Sequence, residues 1–300
     1  MTRTASTLWP SIGLAVAGVL WGQYWIPTRW MHAHGLGPAW MSLVVSVLAL
    51  LATLPLLLRD RRSLQHLDAK VLITGLFLAA SFSLYNVSLI LTTVVNAILL
   101  FYLSPIWSTI LGVWLLSERL RAQRVAALML GFAGLLVVLG FENGLPVPRQ
   151  LGDWLALTSG VIWAYGSLRS YGGNAAGIVG NVVAFNAGAT ISSVALILVL
   201  PMTAAGTLPT GATLAATVPT LAILSLVFVL PSNFLMVWAT QRLPAPRVGI
   251  LLMTEVVAGT VSAALLAGEP FGTRQIIGSA LIVAAGICEV MGRQNAVVEP

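Results

Sequence analysis

Charge is what this sequence has least of. Of 300 residues, only 8% are Asp, Glu, Lys or Arg, against about 25% in a soluble domain. A chain so short of charge cannot cover a surface that faces water. With 58% hydrophobic residues and a mean hydropathy of +0.94, it reads as an integral membrane protein. Cysteine is almost missing as well: Cys288 stands alone, which excludes an intramolecular disulfide and any multi-cysteine metal site. The three histidines, His32, His34 and His66, all fall in expected loops. No pair of them sits at metal-binding spacing on a helix, no HExxH occurs, and no buried Ser–His arrangement can be assembled. There is no P-loop to couple ATP. Neither an enzyme nor a resident metal or cofactor is expected. Lys and Arg outnumber Asp and Glu by 15 to 9, yet no basic tract is interleaved with aromatics, so the excess does not indicate nucleic acid.

What the chain does have is long apolar runs. A hydrocarbon core about 30 Å thick takes about 20 helical residues. Bounded by charges, Gly/Pro clusters and polar dips, ten runs lie near 9–30, 39–58, 71–91, 94–116, 125–140, 153–169, 178–200, 214–240, 248–267 and 274–292. Only Thr92 and Thr93 separate the third from the fourth. The first run follows Arg3 and contains Ala15-Val16-Ala17, a faint likeness to a cleavable signal, but it continues to Trp30 and reads as a transmembrane helix. No run alternates as a barrel strand does. With the N-terminus inside, 12 Lys/Arg fall on inner segments and three (Arg29, Arg149 and Arg274) on outer ones. The positive-inside rule then places both termini in the cytoplasm, with the protein in the cell's inner (plasma) membrane.

The chain also repeats itself. LSPIWSTILGVWLLSERLRAQRVAALMLGFAG from Leu103 aligns without gaps on MTEVVAGTVSAALLAGEPFGTRQIIGSALIVA from Met253, an offset of 151. Ser104-Pro105 falls on Glu255-Val256 and Glu118 on Glu269. Near the start of each half, LWGQYW (20–25) echoes IWAYGS (162–167). The expected units are 1–146 and 147–300. Five helices per unit is an odd number, so the two copies insert with opposite topology. The expected fold is all-α and integral to the membrane: ten helices in two inverted five-helix repeats around a central cavity, a common plan for secondary transporters.

Two five-helix halves, Trp-Gly or Trp-Ala in the first helix of each, and an apolar run ending in Glu before a Gly-rich helix resemble the EamA-type drug/metabolite transporter superfamily. Within it, Tyr102-Leu103-Ser104-Pro105 and Trp163 look most like the bacterial aromatic amino acid exporters, although Ser104 stands where that group tends to carry Trp. The resemblance implies a cavity lined by helices from both halves and export of small metabolites. Two other readings remain. One is proton antiport of other neutral or cationic metabolites or drugs, although the first helix lacks the Glu that small multidrug relatives carry there. The other is a non-transporting receptor or scaffold. Phosphorylated substrates are not expected, because their oxygens need Arg or Lys partners and every Lys and Arg here lies at a helix end or in a loop.

Cavity candidates are aromatic or amide residues deep in the runs: Trp21, Tyr24, Phe82, Tyr85, Asn86, Tyr102, Trp107, Trp163 and Asn233. Ser81, Tyr85 and Ser88 share one helical face, as do Ser159, Trp163, Gly166 and Ser170. Such mixed faces fit either a cavity or close helix packing. Glu255 lies eight residues past Arg247, about 12 Å along the axis and so near mid-membrane. A charge there must be neutralised, paired or hydrated. It is a candidate proton or substrate-amine partner, or else a structural Glu bonded to Ser104 or Asn233. Pro105 is the candidate hinge. Expected partners are a small-molecule substrate and the bilayer. The sequence leaves the oligomeric state open, with a monomer compatible.

Overall fold

The computed structural model describes residues 5–117, 120–140, 147–268 and 271–291. Glu118 and Glu269, the matched acids of the repeat, lie outside the described residues. Every regular element described is helical. The first half holds α1 (Ala5–Trp21), α2 (Trp25–Ala33), α3 (Pro38–Arg59), the short α4 (Arg61–Gln65), α5 (Ala69–Leu91), α6 (Val94–Phe101), α7 (Ser104–Leu116) and α8 (Ala122–Leu139). Then come α9 (Leu151–Ser170), α10 (Gly177–Val199), α11 (Met202–Ala205), α12 (Gly211–Ile223), a π-helical stretch (Leu224–Val229) and α13 (Leu230–Thr240). The chain closes with α14 (Ala245–Leu252), α15 (Thr254–Ala267) and α16 (Thr273–Met291).

Eight stretches are long and apolar enough to cross a membrane: 38–59, 69–89, 94–116, 122–139, 177–199, 211–240, 245–267 and 273–291. The two other expected runs differ for identifiable reasons. The first is divided by a turn at 22–24 into α1 and α2. The sixth, α9, is regular over 20 residues but carries Asp153, Arg169 and several Ser and Gly. Ten of its 20 positions, including Ser159, Trp163 and Ser167, are buried, while Leu151, Trp154 and Val161 are exposed, so its polar residues face protein and its apolar ones face outward. Elsewhere the most exposed large side chains are apolar, among them Trp114 (77%), Leu198 (79%) and Leu265 (80%). Meanwhile Ser81, Ser88, Ser104, Ser159 and Asn186 are buried. Apolar outside and polar inside is the arrangement a lipid solvent selects.

The expected runs at 94–116 and 248–267 are not continuous helices. The first breaks at Tyr102–Leu103 and resumes with Pro105 in the first turn of α7. Proline has no N–H to offer the carbonyl four residues back and its ring crowds it, so the helix ends before it. The second breaks at Met253 without a proline. Shifted by 151, α6 lands on α14, and the end of α7 at Leu116 lands on the end of α15 at Ala267. The next residues, Ser117 (φ 52°) and Gly268 (φ 68°), share the left-handed conformation, which glycine takes readily and serine does not. The similarity at offset 151 therefore extends from sequence to the position of the break and to the helix end.

Close packing holds the broken helices in place. A Cβ on Gly22 would meet Gly259 N at 2.8 Å and Ala258 Cβ at 2.9 Å, so the end of α1 lies directly on α15. Near the chain termini of each half, α8 and α16 touch backbone to backbone: a Cβ on Gly134 would stand 2.7 Å from Gly278 O. Small residues permit such approaches between membrane helices. The largest apolar cluster joins Leu14, Leu78, Tyr85, Phe101, Tyr102, Leu135, Trp163, Met236 and Leu252, and so ties α1, α5, α6, α8, α9, α13 and α14 together.

Candidate functional site

A small cavity of about 50 Å³ lies among elements of both halves. From the first half come Trp21 at the end of α1, Tyr24 in the turn after it, Ser42, Val45 and Ser46 of α3, and Ala79, Phe82, Ser83 and Asn86 of α5. From the second come Phe185, Asn186, Ala189 and Ser193 of α10, Val229 at the end of the π stretch, and Asn233 of α13. None of these side chains is charged. Trp21 and Tyr24 reach the cavity because the chain unwinds at 22–24. Two bonds to α15 hold that unwound turn: Gln23 Nε2 donates to Ala258 O (3.3 Å) and Trp25 Nε1 to Ser262 Oγ (3.0 Å).

One side of the cavity is aromatic. Trp21 stacks on Phe82 with centroids 5.2 Å apart, and Phe82 meets Phe185 edge-on at 6.0 Å. Behind them, Trp163 is fully buried and contacts Phe82 edge-on at 5.2 Å. The remaining wall is uncharged and mixes Val45, Ala79, Ala189 and Val229 with serines and amides. Asn233 Nδ2 donates to Asn186 Oδ1 at 3.0 Å, and both residues are 1% exposed. The π stretch sits beside this wall, with Phe228 against Trp21 at 6.4 Å and Ser225 Oγ donating to Val45 O at 3.0 Å. A π turn is a costly local geometry that is common at functional sites.

Of the sequence-derived candidates, Trp21, Tyr24, Phe82, Asn86 and Asn233 share this cavity. Tyr85, Tyr102, Trp107, Trp163 and Glu255 are outside its lining. Tyr85 lies on Phe101 with centroids 4.5 Å apart. The polar faces of α5 and α9 meet each other, with Ser81 Oγ donating to Ser159 O at 2.8 Å. Pro105 packs on α14, where a Cβ on Gly249 would come within 2.7 Å of its Cγ. Sequence reasoning did not single out Phe185, Asn186 and Ser193. The signal was Asn186 itself, an amide in the middle of the 178–200 run, which an apolar helix rarely carries without a partner.

Glu255 occupies a second polar locus, where the breaks of α6–α7 and α14–α15 meet. The Tyr102 hydroxyl donates to Glu255 Oε2 at 2.9 Å and to Leu252 O at 3.1 Å. Leu252 O lies just before the break at Met253, where regular i to i+4 bonding is interrupted, and Tyr102 supplies a partner. The glutamate is bonded to Tyr102; Ser104 is not its partner, and Asn233 bonds Asn186 instead. A further charged group lies where α8, α14 and α16 meet: Arg247 is only 2% exposed, near Glu289, which is itself 3.9 Å from Arg124. Glu289 is thus part of a largely buried ionic cluster with Arg124 and Arg247.

Residues 8–140 match the model of the EamA-like transporter family, whose members are membrane transporters of small substrates. The match runs from α1 to the end of α8, less than half of the 300 residues. No curated protein matches the sequence. Among solved structures, one described simply as the crystal structure of a protein superposes with a TM-score of 0.69 at 21% identity, covering 96% of each chain. At that identity the likeness establishes a shared fold.

Proposed function

We propose that the chain is a secondary transporter of the inner membrane, exporting neutral or aromatic amino acids or related small metabolites by alternating access. The observation that carries the reading is the cavity itself. It is built from both halves and its walls are aromatic, aliphatic and uncharged polar, in a fold whose α6–α7 and α14–α15 helices break at matching positions 151 residues apart. Its 50 Å³ holds only a few water molecules, so a substrate is accommodated only when the helices around it move apart. Ten membrane crossings, in two five-helix units 1–146 and 147–300 of opposite topology, follow if α1–α2 and α9 also cross, with Ile12, Val16 and Val19 of α1 and Trp154 and Val161 of α9 exposed toward lipid. The match of residues 8–140 to a transporter family supports the class. Purified protein in liposomes, offered labelled tryptophan, phenylalanine and threonine, tests it. Flux of at least one above protein-free vesicles is expected, and no flux of any amino acid refutes it in favour of a receptor or scaffold.

A specific observation favours proton coupling as a second element of this reading. One tyrosine proton faces two acceptors, Leu252 O and Glu255 Oε2, and a hydroxyl serves one acceptor well at a time. A proton on Glu255 removes the competition and is lost when transport alters the break. The titratable groups facing Glu255 are Tyr102 and Tyr85. Flux driven by a pH gradient in wild type, abolished in Glu255→Gln, is the expected result; an unchanged gradient response in the variant reduces Glu255 to a structural role.

A further inference from the structure

The buried amide pair beside the aromatic wall has bonding capacity that nothing in the protein uses. Asn233 Nδ2 donates to Asn186 Oδ1, and this leaves Asn186 Nδ2 and Asn233 Oδ1 without partners. The tally does not depend on how the amides are oriented. Exchanging oxygen and nitrogen in both residues again leaves one donor and one acceptor over, and exchanging them in one would set like atoms 3.0 Å apart. Two more groups of the same cavity are also unpartnered: Trp21 Nε1 and the hydroxyl of Ser193, itself 1% exposed. A buried donor or acceptor left unmade destabilises a fold by about 1–3 kcal/mol. Four in one cavity mark a place where something else completes the bonding.

We infer that the Asn186–Asn233 pair receives the head of a zwitterionic α-amino acid and selects against ligands with net charge. This deepens, and rests on, the transporter reading above. The carboxylate of the ligand accepts from the free Asn186 N–H and the Trp21 indole N–H, and its ammonium donates to Asn233 Oδ1. The two charges of the ligand neutralise each other within the site. An amine without the carboxylate, or an acid without the ammonium, brings a lone charge to a cavity with no charged side chain in its lining, and a desolvated, uncompensated charge is strongly disfavoured. Trp21 and Phe82 supply the surface against which an aromatic side chain of the ligand lies when the site is open.

The test uses wild type and two variants in liposomes, with labelled phenylalanine, phenethylamine and 3-phenylpropanoate as probes sharing one side chain. Wild type is expected to move phenylalanine at least tenfold faster than either charged analogue. Asn186→Asp keeps an acceptor for Asn233 Nδ2 but replaces the free donor by an anionic oxygen. It is expected to cut phenylalanine flux at least tenfold and to gain phenethylamine flux. Asn233→Asp is expected to shift selectivity the same way, since a rotated Asn186 amide can still bond it. Unaltered ratios in both variants, with monodisperse elution and unchanged melting, mean that the cavity holds only water, and overturn the inference. If neither variant folds, wild type alone decides: phenethylamine moving as fast as phenylalanine overturns it. Failure of the transporter reading looks different, because wild type then moves none of the three nor any other amino acid.

Discussion

Replacing Tyr102 by Phe removes one oxygen and tests the meeting point of the two helix breaks. The ring stays, so contacts with Phe101 at 5.1 Å and the surrounding core are retained. What is lost is the donor to Leu252 O and Glu255 Oε2. A hydrogen bond is worth about 0.5–1.5 kcal/mol net, but removing the donor so that the carbonyl is left buried and unpaired costs about 1–3 kcal/mol instead. Tyr102→Phe should therefore destabilise the protein by about 1–3 kcal/mol, measured by denaturant unfolding in detergent. Pairing it with Glu255→Gln in a double-mutant cycle separates the two acceptors. If Glu255 carries a proton in this conformer, the Tyr102–Glu255 bond is neutral. The coupling should then resemble that of other hydrogen bonds between membrane helices, about 0.6 kcal/mol. An ionised carboxylate makes the bond charge-assisted, worth about 1.5–3 kcal/mol. A coupling above about 1.5 kcal/mol refutes the proton count, and loss of stability in Glu255→Gln alone with none in Tyr102→Phe refutes the idea that the tyrosine serves the Leu252 carbonyl.

Three further perturbations probe other contacts. Gly134→Val puts a branched side chain where a Cβ already meets Gly278 O at 2.7 Å; it should destabilise by at least about 1–3 kcal/mol, read as a lower melting temperature, while Gly268→Asn at an open left-handed position should change it little. Asp60, in the turn between α3 and α4, accepts from the Ser63 hydroxyl and backbone N–H, and these bonds hold its carboxyl below the usual carboxylate range. Its contribution is thus complete above the ordinary carboxylate pKa and is lost as pH falls through the lowered value. Melting curves of wild type and Asp60→Asn should therefore converge toward acid pH, and a constant gap would contradict this. Trp25→Phe deletes the indole bond to Ser262 Oγ that ties the 22–24 turn to α15. It should slow transport more than it lowers stability, and unchanged flux would show the tie is dispensable.

Much of this protein was legible without a structure because lipid is a simple solvent. Composition alone demanded membrane helices, since neither an uncovered charge-poor surface nor an unpaired backbone is tolerated. The Thr92–Thr93 boundary held because Thr93 caps α6 by accepting from Asn96 N. Pro105 announced its break through the missing N–H. The offset of 151 pairs the two runs, but each reads as one unbroken run, and the matching interruptions at 102–103 and 253 came only with the structure. The break at Met253 has no such local signature; it rests on Gly22 and the α1 backbone lying against α15 and on Tyr102 reaching Leu252 O, contacts made across more than 100 residues of chain. Nor does period or propensity say which side of a polar face looks into a cavity. Ser81 and Ser159 look the same in sequence as Ser46 and Ser193, yet the first pair bond helix to helix and the second line the cavity. Sequence fixes what each side chain is able to bond, and the partner it receives depends on which helices meet.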